Sequence, residues 1–149
     1  MKTKKLVIFG TGEIAELAHF YFENDSDLEV VAFTADDKYI KSNFFLNKPL
    51  IPFSVIENKF PPSKFNMHVA LSYNKLNSIR KSKYISAKNK GYNLSSYISS
   101  KSFFWNDLQV GDNCFILENQ TIQPTVKIGN NVMIWSGNHL GHGSYISDH

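Results

Sequence analysis

VGDNCFILENQTIQPTVKIGNNVMIWSGNHLGHGSYISDH, residues 110–149, decides the fold. Read six at a time, it sets an aliphatic residue in every repeat: Val110, Ile116, Ile122, Ile128, Ile134, Leu140 and Ile146. Four positions after each of the first six come Cys114, Gln120, Val126, Val132, Asn138 and Ser144, mostly small or β-branched. Gly111, Gly129 and Gly141 follow the aliphatic residue directly. Six residues cannot bury an apolar face alone. Three such units close a triangular coil of about eighteen residues, and coils stack by parallel strand pairing with the aliphatic residues as internal ladders. Gly129, Asn130, Asn131, Gly137 and Asn138 suit corners, where the backbone takes angles that other residues resist. A run of short antiparallel strands would instead alternate every two residues and turn at uneven spacing. The even register therefore predicts a parallel β-helix of hexapeptides over residues 98–149.

Upstream, the pattern changes. Lys5 to Phe9 (KLVIF) reads as a buried strand, and Gly10-Thr11-Gly12 follows at once. Glu13 to Glu23 has helical spacing, with Ile14, Leu17, Ala18 and Tyr21 on one face. Leu28 to Thr34 reads as a second strand, ending before Asp36-Asp37. This is a βαβ unit of the form G-x-G-x-x-A from Gly10 to Ala15, with an acidic residue after the second strand. Such a turn aims backbone N–H groups and a helix dipole at an anion. Asp36 is placed to accept hydrogen bonds from a ribose or a base. Two glycines can also simply make a tight β–α turn. Lys48-Pro49-Leu50-Ile51-Pro52 and Pro61-Pro62 mark loops, Met67 to Ser72 a third strand, and Tyr92 to Ile98 a fourth. Asn74 to Lys90 reads as a helix with Leu76, Ile79 and Ile85 inward, ended by Gly91. The expected first domain is thus a small Rossmann-like unit over residues 1–97. It is smaller than a dinucleotide usually needs, so one phosphate-bearing nucleotide fits better than NAD.

Composition sets outer limits. The 149 residues are 42% hydrophobic and 19% charged, as in a soluble globular protein. A net charge of +3, with scattered lysines, argues against nucleic acid. The lysine-rich start meets a short apolar run and then glycines, which is neither a secretory signal nor a membrane span, so a cytoplasmic location is the expectation. The one cysteine, Cys114, excludes an internal disulfide and falls at an inward position as a packed thiol. His68 lies within a strand and reads as structural.

VIFGTGEIAELA, VVAFTADDKY, HVALSYNKLNSIRKS, VGDNCFI and VKIGNNVMIWSGNHLGHGSYI together resemble the bacterial sugar O- and N-acyltransferases. Sialic acid O-acetyltransferases and UDP-4-amino-sugar or GDP-perosamine N-acetyltransferases are among them. The resemblance covers the whole chain. It implies a left-handed β-helix, a homotrimer built through that helix, acetyl-CoA as cosubstrate and no metal. The acceptor would be a nucleotide-linked sugar of surface-glycan biosynthesis, held by the first domain. It implies contacts from Gly10, Thr11 and Gly12 around phosphate, from Asp36 and Asp37 near the nucleoside, and from Ser72 and Tyr73 after the third strand. Tyr73 stands where the family often has Gly.

By register, His142 falls on the family's catalytic His. An imidazole titrating near neutrality can take the proton from a sugar amine or hydroxyl as it attacks a thioester carbonyl. His139, at an outward position, is the second candidate. Gly143 stands where the amino-sugar enzymes often have Glu, which weighs against N-acetylation. Positions 110–149 make little more than two coils of about eighteen residues, with no capping segment. The expectation is a C-terminally truncated form that binds nucleotide sugars more readily than it transfers acetyl groups. A non-catalytic nucleotide-sugar-binding module and an NAD-dependent oxidoreductase fragment stay open as alternatives.

Overall fold

The computed structural model describes Lys2 and residues 4–149. The chain divides into two compact units, Met1–Ser95 and Ser96–His149.

In the first unit, β1 (Lys4–Phe9) carries four consecutive buried residues, Leu6 to Phe9. A strand apolar on both faces is one covered on both sides. It leads through Gly10–Gly12 into α1 (Glu13–Asn24) and then β2 (Leu28–Ala35). The buried stripe of α1 is Ala15, Ala18 and Phe22, whereas Ile14, Leu17 and Tyr21 are half-buried. Two alanines there let the helix lie close to the sheet, as the third position of the glycine motif requires.

The proline-bearing stretch read as a loop is a strand. The chain forms β3 (Phe44–Phe45) and β4 (Lys48–Pro52), and β4 pairs in parallel with β2. Beyond β4 lies only the two-residue β3, so the prolines cost few ladder bonds. A short α2 (Ile56–Lys59) precedes β5 (Asn66–Val69). The sheet order is β3-β4-β2-β1-β5. Successive crossovers therefore leave β1 in opposite directions, and the carboxyl ends of β1, β2 and β5 frame a crevice, the usual place for a ligand in an open sheet of this kind.

The last helix departs from its expected form. α3 spans Ser78–Asn89 and buries Arg80 and Ala87. Leu76 is 97% exposed, and Ile79 and Ile85 are also exposed. The cause is local. Lys75, Leu76 and Asn77 take left-handed backbone angles, φ 52°, 51° and 64°. Such geometry costs non-glycine residues roughly 1–2 kcal/mol each. The expected fourth strand over 92–98 is also divided. Tyr92 donates its hydroxyl to the Phe60 carbonyl (2.6 Å) and Leu94 bridges to Met67, while Tyr97–Ile98 joins the second unit.

The second unit is a parallel β-helix of two-residue strands. These are β6 (Tyr97–Ile98), β7 (Gln109–Val110), β8 (Phe115–Ile116), β9 (Thr121–Ile122), β10 (Lys127–Ile128), β11 (Met133–Ile134), β12 (His139–Leu140) and β13 (Tyr145–Ile146). They stack as β6-β8-β11, β7-β10-β13 and β9-β12, with Phe103 bridging to Thr121 to complete the third face. Every expected guide residue is the second residue of its strand. Ile116, Ile122, Ile128 and Ile134 are buried together with Cys114, Val126 and Val132. The stack begins earlier than a count from Val110 implies. Its first coil runs from Tyr97, and the aromatic Phe104 at the guide position hides the register there.

The corners obey a second six-residue rule. Asn113, Asn119, Thr125, Asn131, Gly137, Gly143 and His149 all have positive φ. Of the five residues expected at corners, only Asn131 and Gly137 do. Gly129 is required for another reason: a Cβ there would collide with the Asp148 carboxylate oxygen. Gly111 likewise leaves no room, its Cβ meeting the Gly129 carbonyl at 2.7 Å. Polar side chains tie each coil to the next. The Asn130 Oδ1 accepts from the Asp112 N–H (3.0 Å), Asn113 donates to Asn131 (2.8 Å), and the Gln120 Oε1 accepts from the Asn138 N–H (3.1 Å). Each pair is eighteen residues apart, one turn of the coil.

Candidate functional site

The crevice at the carboxyl ends of β1, β2 and β5 encloses about 450 Å³. Its floor is the glycine turn. Gly10 has φ +137° and donates its N–H to the Thr34 carbonyl (2.8 Å). Gly12 begins α1 with extended angles, and no side chain caps the helix. Its carbonyl accepts from Ala15 (2.8 Å) and Glu16 (3.1 Å). The first-turn N–H groups of Glu13 and Ile14 have no carbonyl within the helix to bond. A Cβ on Gly12 would meet nothing within 4 Å, so the turn is open on the cavity side. The geometry suits an anion lying against backbone, although Glu13 and Glu16 in the same turn oppose one.

Two cations offset those carboxylates. Lys38 lines the cavity, and so does Lys83, which reaches in from α3. The Lys83 ammonium lies 2.5 Å from the Asp36 carboxylate and 5.7 Å from the centroid of the Phe9 ring. Phe9, Leu71 and Ile79 supply apolar wall, and Tyr39 and Asn74 complete the rim.

Among the residues singled out from the sequence, Gly10, Thr11, Gly12 and Asp36 line this cavity together. Asp37 is exposed and its carboxylate accepts from the Ser54 hydroxyl (2.8 Å). Ser72 accepts from the Asn74 amide (3.0 Å). Tyr73 is 73% exposed. Neither Asp37 nor Ser72 nor Tyr73 lines the cavity. Lys83 was not foreseen. It stands 47 residues from Asp36, and nothing in the local pattern of α3 marks one lysine among its several.

On the β-helix unit, His139 opens β12, pairs with Thr121 and has an exposed side chain. His142 is also exposed, at the turn after β12. Its backbone N–H donates to the Gln123 Oε1 (2.8 Å), and the Gly143 N–H donates to the Thr125 hydroxyl (3.1 Å). The ring thus projects to solvent from a turn whose backbone is held by the coil beneath. Gly143, φ 69°, occupies the left-handed corner of the repeat. That explains a small residue at a position where glutamate would be strained.

Two chemically capable groups are structural. His68 is 1% exposed, stacks edge-on against Phe22 (5.0 Å) and bonds the Ser95 carbonyl through Nδ1 (2.9 Å). Burial drives its pKa down to about 4, so the ring is neutral at pH 7. The unfolded chain protonates from about pH 6.5 downward and the folded chain only near 4. Stability is complete above the first value and is lost as pH falls through that window. The loss is about 3 kcal/mol by pH 4. Urea melts at pH 7 and 4.5 are expected to differ by less in His68→Asn than in the natural chain. Equal differences would refute the assignment. The Cys114 thiol is buried 3.0 Å from the Gly129 carbonyl, and desolvation raises its pKa, which removes it as a nucleophile. No helix among the described residues is long and apolar enough to cross a membrane.

Residues 107–142 match the bacterial transferase hexapeptide (six repeats) family. No characterised protein matches the chain by sequence at a significant level. Solved structures do. The acetyltransferase domain of PglB from Neisseria gonorrhoeae FA1090 superposes with a TM-score of 0.74 at 16% identity, over 98% of this chain and 69% of that one. A variant of perosamine N-acetyltransferase from Caulobacter crescentus, solved with CoA and GDP-perosamine, gives 0.76 at 15%, over 96% and 65%. WeeI from Acinetobacter baumannii AYE gives 0.73 at 16%, over 97% and 67%. The chain therefore spans about two thirds of the length of the structures it resembles. At such identities the likeness is one of fold. The second unit is a hexapeptide β-helix of the left-handed kind found in acetyltransferases, and the resemblance to the hexapeptide sugar acyltransferases holds at the level of repeat and architecture.

Proposed function

We propose that the chain is an acetyl-CoA-dependent acetyltransferase acting on an amine or hydroxyl of a nucleotide-linked sugar in surface-glycan biosynthesis. One observation carries this reading: hexapeptide coils and a glycine-floored cavity with a helix N-terminus occur in one chain whose fold matches acetyltransferases along nearly its whole length. One such structure holds acetyl coenzyme A and another holds GDP-perosamine with CoA.

In this reading the first unit serves as a Rossmann-like holder of the nucleotide. The N–H groups at Gly12–Ile14 and the ammonium of Lys83 take the phosphates, and Asp36 accepts from the nucleoside. His142 is the general base. It removes a proton from the acceptor as the new N–C or O–C bond forms at the thioester carbonyl. The C–S bond then breaks, and the departing thiolate takes the proton. Phe103, Trp105, Trp135 and Tyr145, all exposed on the β-helix unit, support assembly of that unit into a homotrimer. The proposed location is the cytoplasm, where nucleotide sugars and acetyl-CoA are both supplied.

Calorimetric titration with UDP-, GDP- and CMP-sugars, followed by release of free CoA from acetyl-CoA, tests the reading. Micromolar binding of one class with acceptor-dependent CoA release is the expected result. Binding without CoA release would make the chain a nucleotide-sugar-binding module. Absence of both would overturn the reading.

A further inference from the structure

The segment that joins β5 to α3 is held in an unfavourable form beside the cavity. Lys75, Leu76 and Asn77 are three consecutive left-handed residues, none of them glycine. Leu76 is 97% exposed and Tyr73 is 73% exposed, although both are large and apolar. The helix that follows starts from Asn77, whose side chain makes no cap.

A second arrangement is written into the same residues. Positions 76, 79, 80 and 83 lie on one stripe of a right-handed helix. Ile79 and Lys83 already line the cavity, and Arg80 between them is buried. One further right-handed turn on α3 would put Leu76 on that stripe, at the mouth of the cavity. It would also make Asn74 the residue before the helix, a strongly preferred capping type. The Asn77 N–H already donates to the Tyr73 carbonyl four residues back (3.2 Å), the bond a right-handed turn would use.

We propose that Leu76 is a ligand-contacting residue, delivered when the left-handed turn at 75–77 rewinds into α3 over a nucleoside phosphate bound at Gly10–Gly12. The inference rests on the nucleotide reading above. With the cavity empty, the rewound form would set Leu76 beside Ile79 at a mouth that also holds the part-buried Asp36–Lys83 pair, and the leucine would keep one face in water. With a nucleoside in place, that face gains a flat apolar partner. Binding and rewinding therefore favour each other.

The experiment pairs calorimetry with amide hydrogen exchange, using UDP, GDP and CMP as probes. In the natural chain, the bound nucleotide is expected to slow exchange at residues 75–78 by about tenfold or more. Leu76→Gly, which suits the left-handed turn, is expected to weaken nucleotide binding about tenfold without lowering the melting temperature of the ligand-free protein. Leu76→Met is expected to stay within about twofold of the natural affinity. A merely structural leucine would move the melting temperature and leave affinity alone. Nucleotide binding with unchanged exchange, or with Leu76→Gly within about twofold of the natural affinity, would overturn the rewinding and leave the nucleotide reading intact. Failure of all three nucleotides to bind would overturn both.

Discussion

Gly10→Ala is expected to unfold the first unit or to destabilise it by at least about 3 kcal/mol, because two independent penalties fall on one methyl group. The backbone stands at φ +137°, a region that alanine avoids, and the new Cβ would lie 2.6 Å from the Ala70 carbonyl oxygen and 3.2 Å from the Ala15 Cβ. Neither neighbour can yield cheaply. Ala70 is tied by its N–H to the Phe9 carbonyl (2.8 Å), and Ala15 is on the buried face of α1. Gly12→Ala supplies the control. Its φ is −110° and a Cβ there meets nothing within 4 Å, so stability should change by less than about 1 kcal/mol. Urea melts of the two variants check the contrast. A Gly10→Ala protein as stable as Gly12→Ala would mean that Gly10 and the Ala70 carbonyl are not in close contact. A Gly12→Ala protein that is stable but binds nucleotide poorly would separate the turn's service to the ligand from its service to the fold.

That contrast bears on what could be read from the chain alone. G-x-G-x-x-A was legible as a motif because each small residue answers a local constraint, and local constraints leave marks in sequence. The hexapeptide register was legible for the same reason. It repeats often enough that Gln120 or Phe104 at an unexpected position does not erase it. The corner rule was only half visible. Gly and Asn at 129, 130 and 138 look like turn residues, but Gly129 is small because Asp148 of the next coil lies against it. Asn130 serves by accepting the Asp112 N–H. Gly129 answers a neighbour nineteen residues away and Asn130 one eighteen away, and composition does not distinguish that from backbone need. Conversely, Thr125 and His149 hold left-handed corners without being typical corner residues. At Thr125 the Asp107 carboxylate accepts the backbone N–H (2.7 Å) and helps hold the conformation.

The first unit shows the other limit. Helical spacing in 74–90 is real, yet the helix starts at Ser78, because a left-handed turn intervenes. The spacing that misplaced Leu76 is that of the rewound form, in which the residue joins the stripe of Ile79 and Lys83. Lys83 escaped notice because its significance lies in Asp36, a contact across the crevice between residues on unrelated elements. Periodicity reports which face of an element is apolar. It does not report which exposed cation meets which carboxylate.

His142→Ala is expected to lower kcat for acetyl transfer by about 10²–10⁴, the range for loss of a general base, with nucleotide-sugar affinity held within about twofold. The structural grounds for expecting so clean an effect are local. The ring is exposed, and the bonds that hold the turn are made by backbone: the His142 N–H to Gln123 (2.8 Å) and the Gly143 N–H to Thr125 (3.1 Å). Alanine keeps both, so the melting temperature should stay put while turnover falls. His139→Ala is the matched comparison. It too removes an exposed imidazole, from the first residue of β12, and leaves the Leu140–Ile122 ladder in place. Its expected effect on kcat is less than about threefold. CoA release from acetyl-CoA, measured with the acceptor identified by titration, reads both variants. If His142→Ala kept turnover within tenfold of the natural chain, His142 would not be the base. If His139→Ala then proved the damaging change, the base would lie on the strand face and not at the corner. Gln123→Ala adds a finer test of the same turn. It removes the acceptor of the His142 N–H but no imidazole, so it should lower kcat by less than His142→Ala. The size of that loss would measure how far catalysis depends on the coil beneath holding the ring in position.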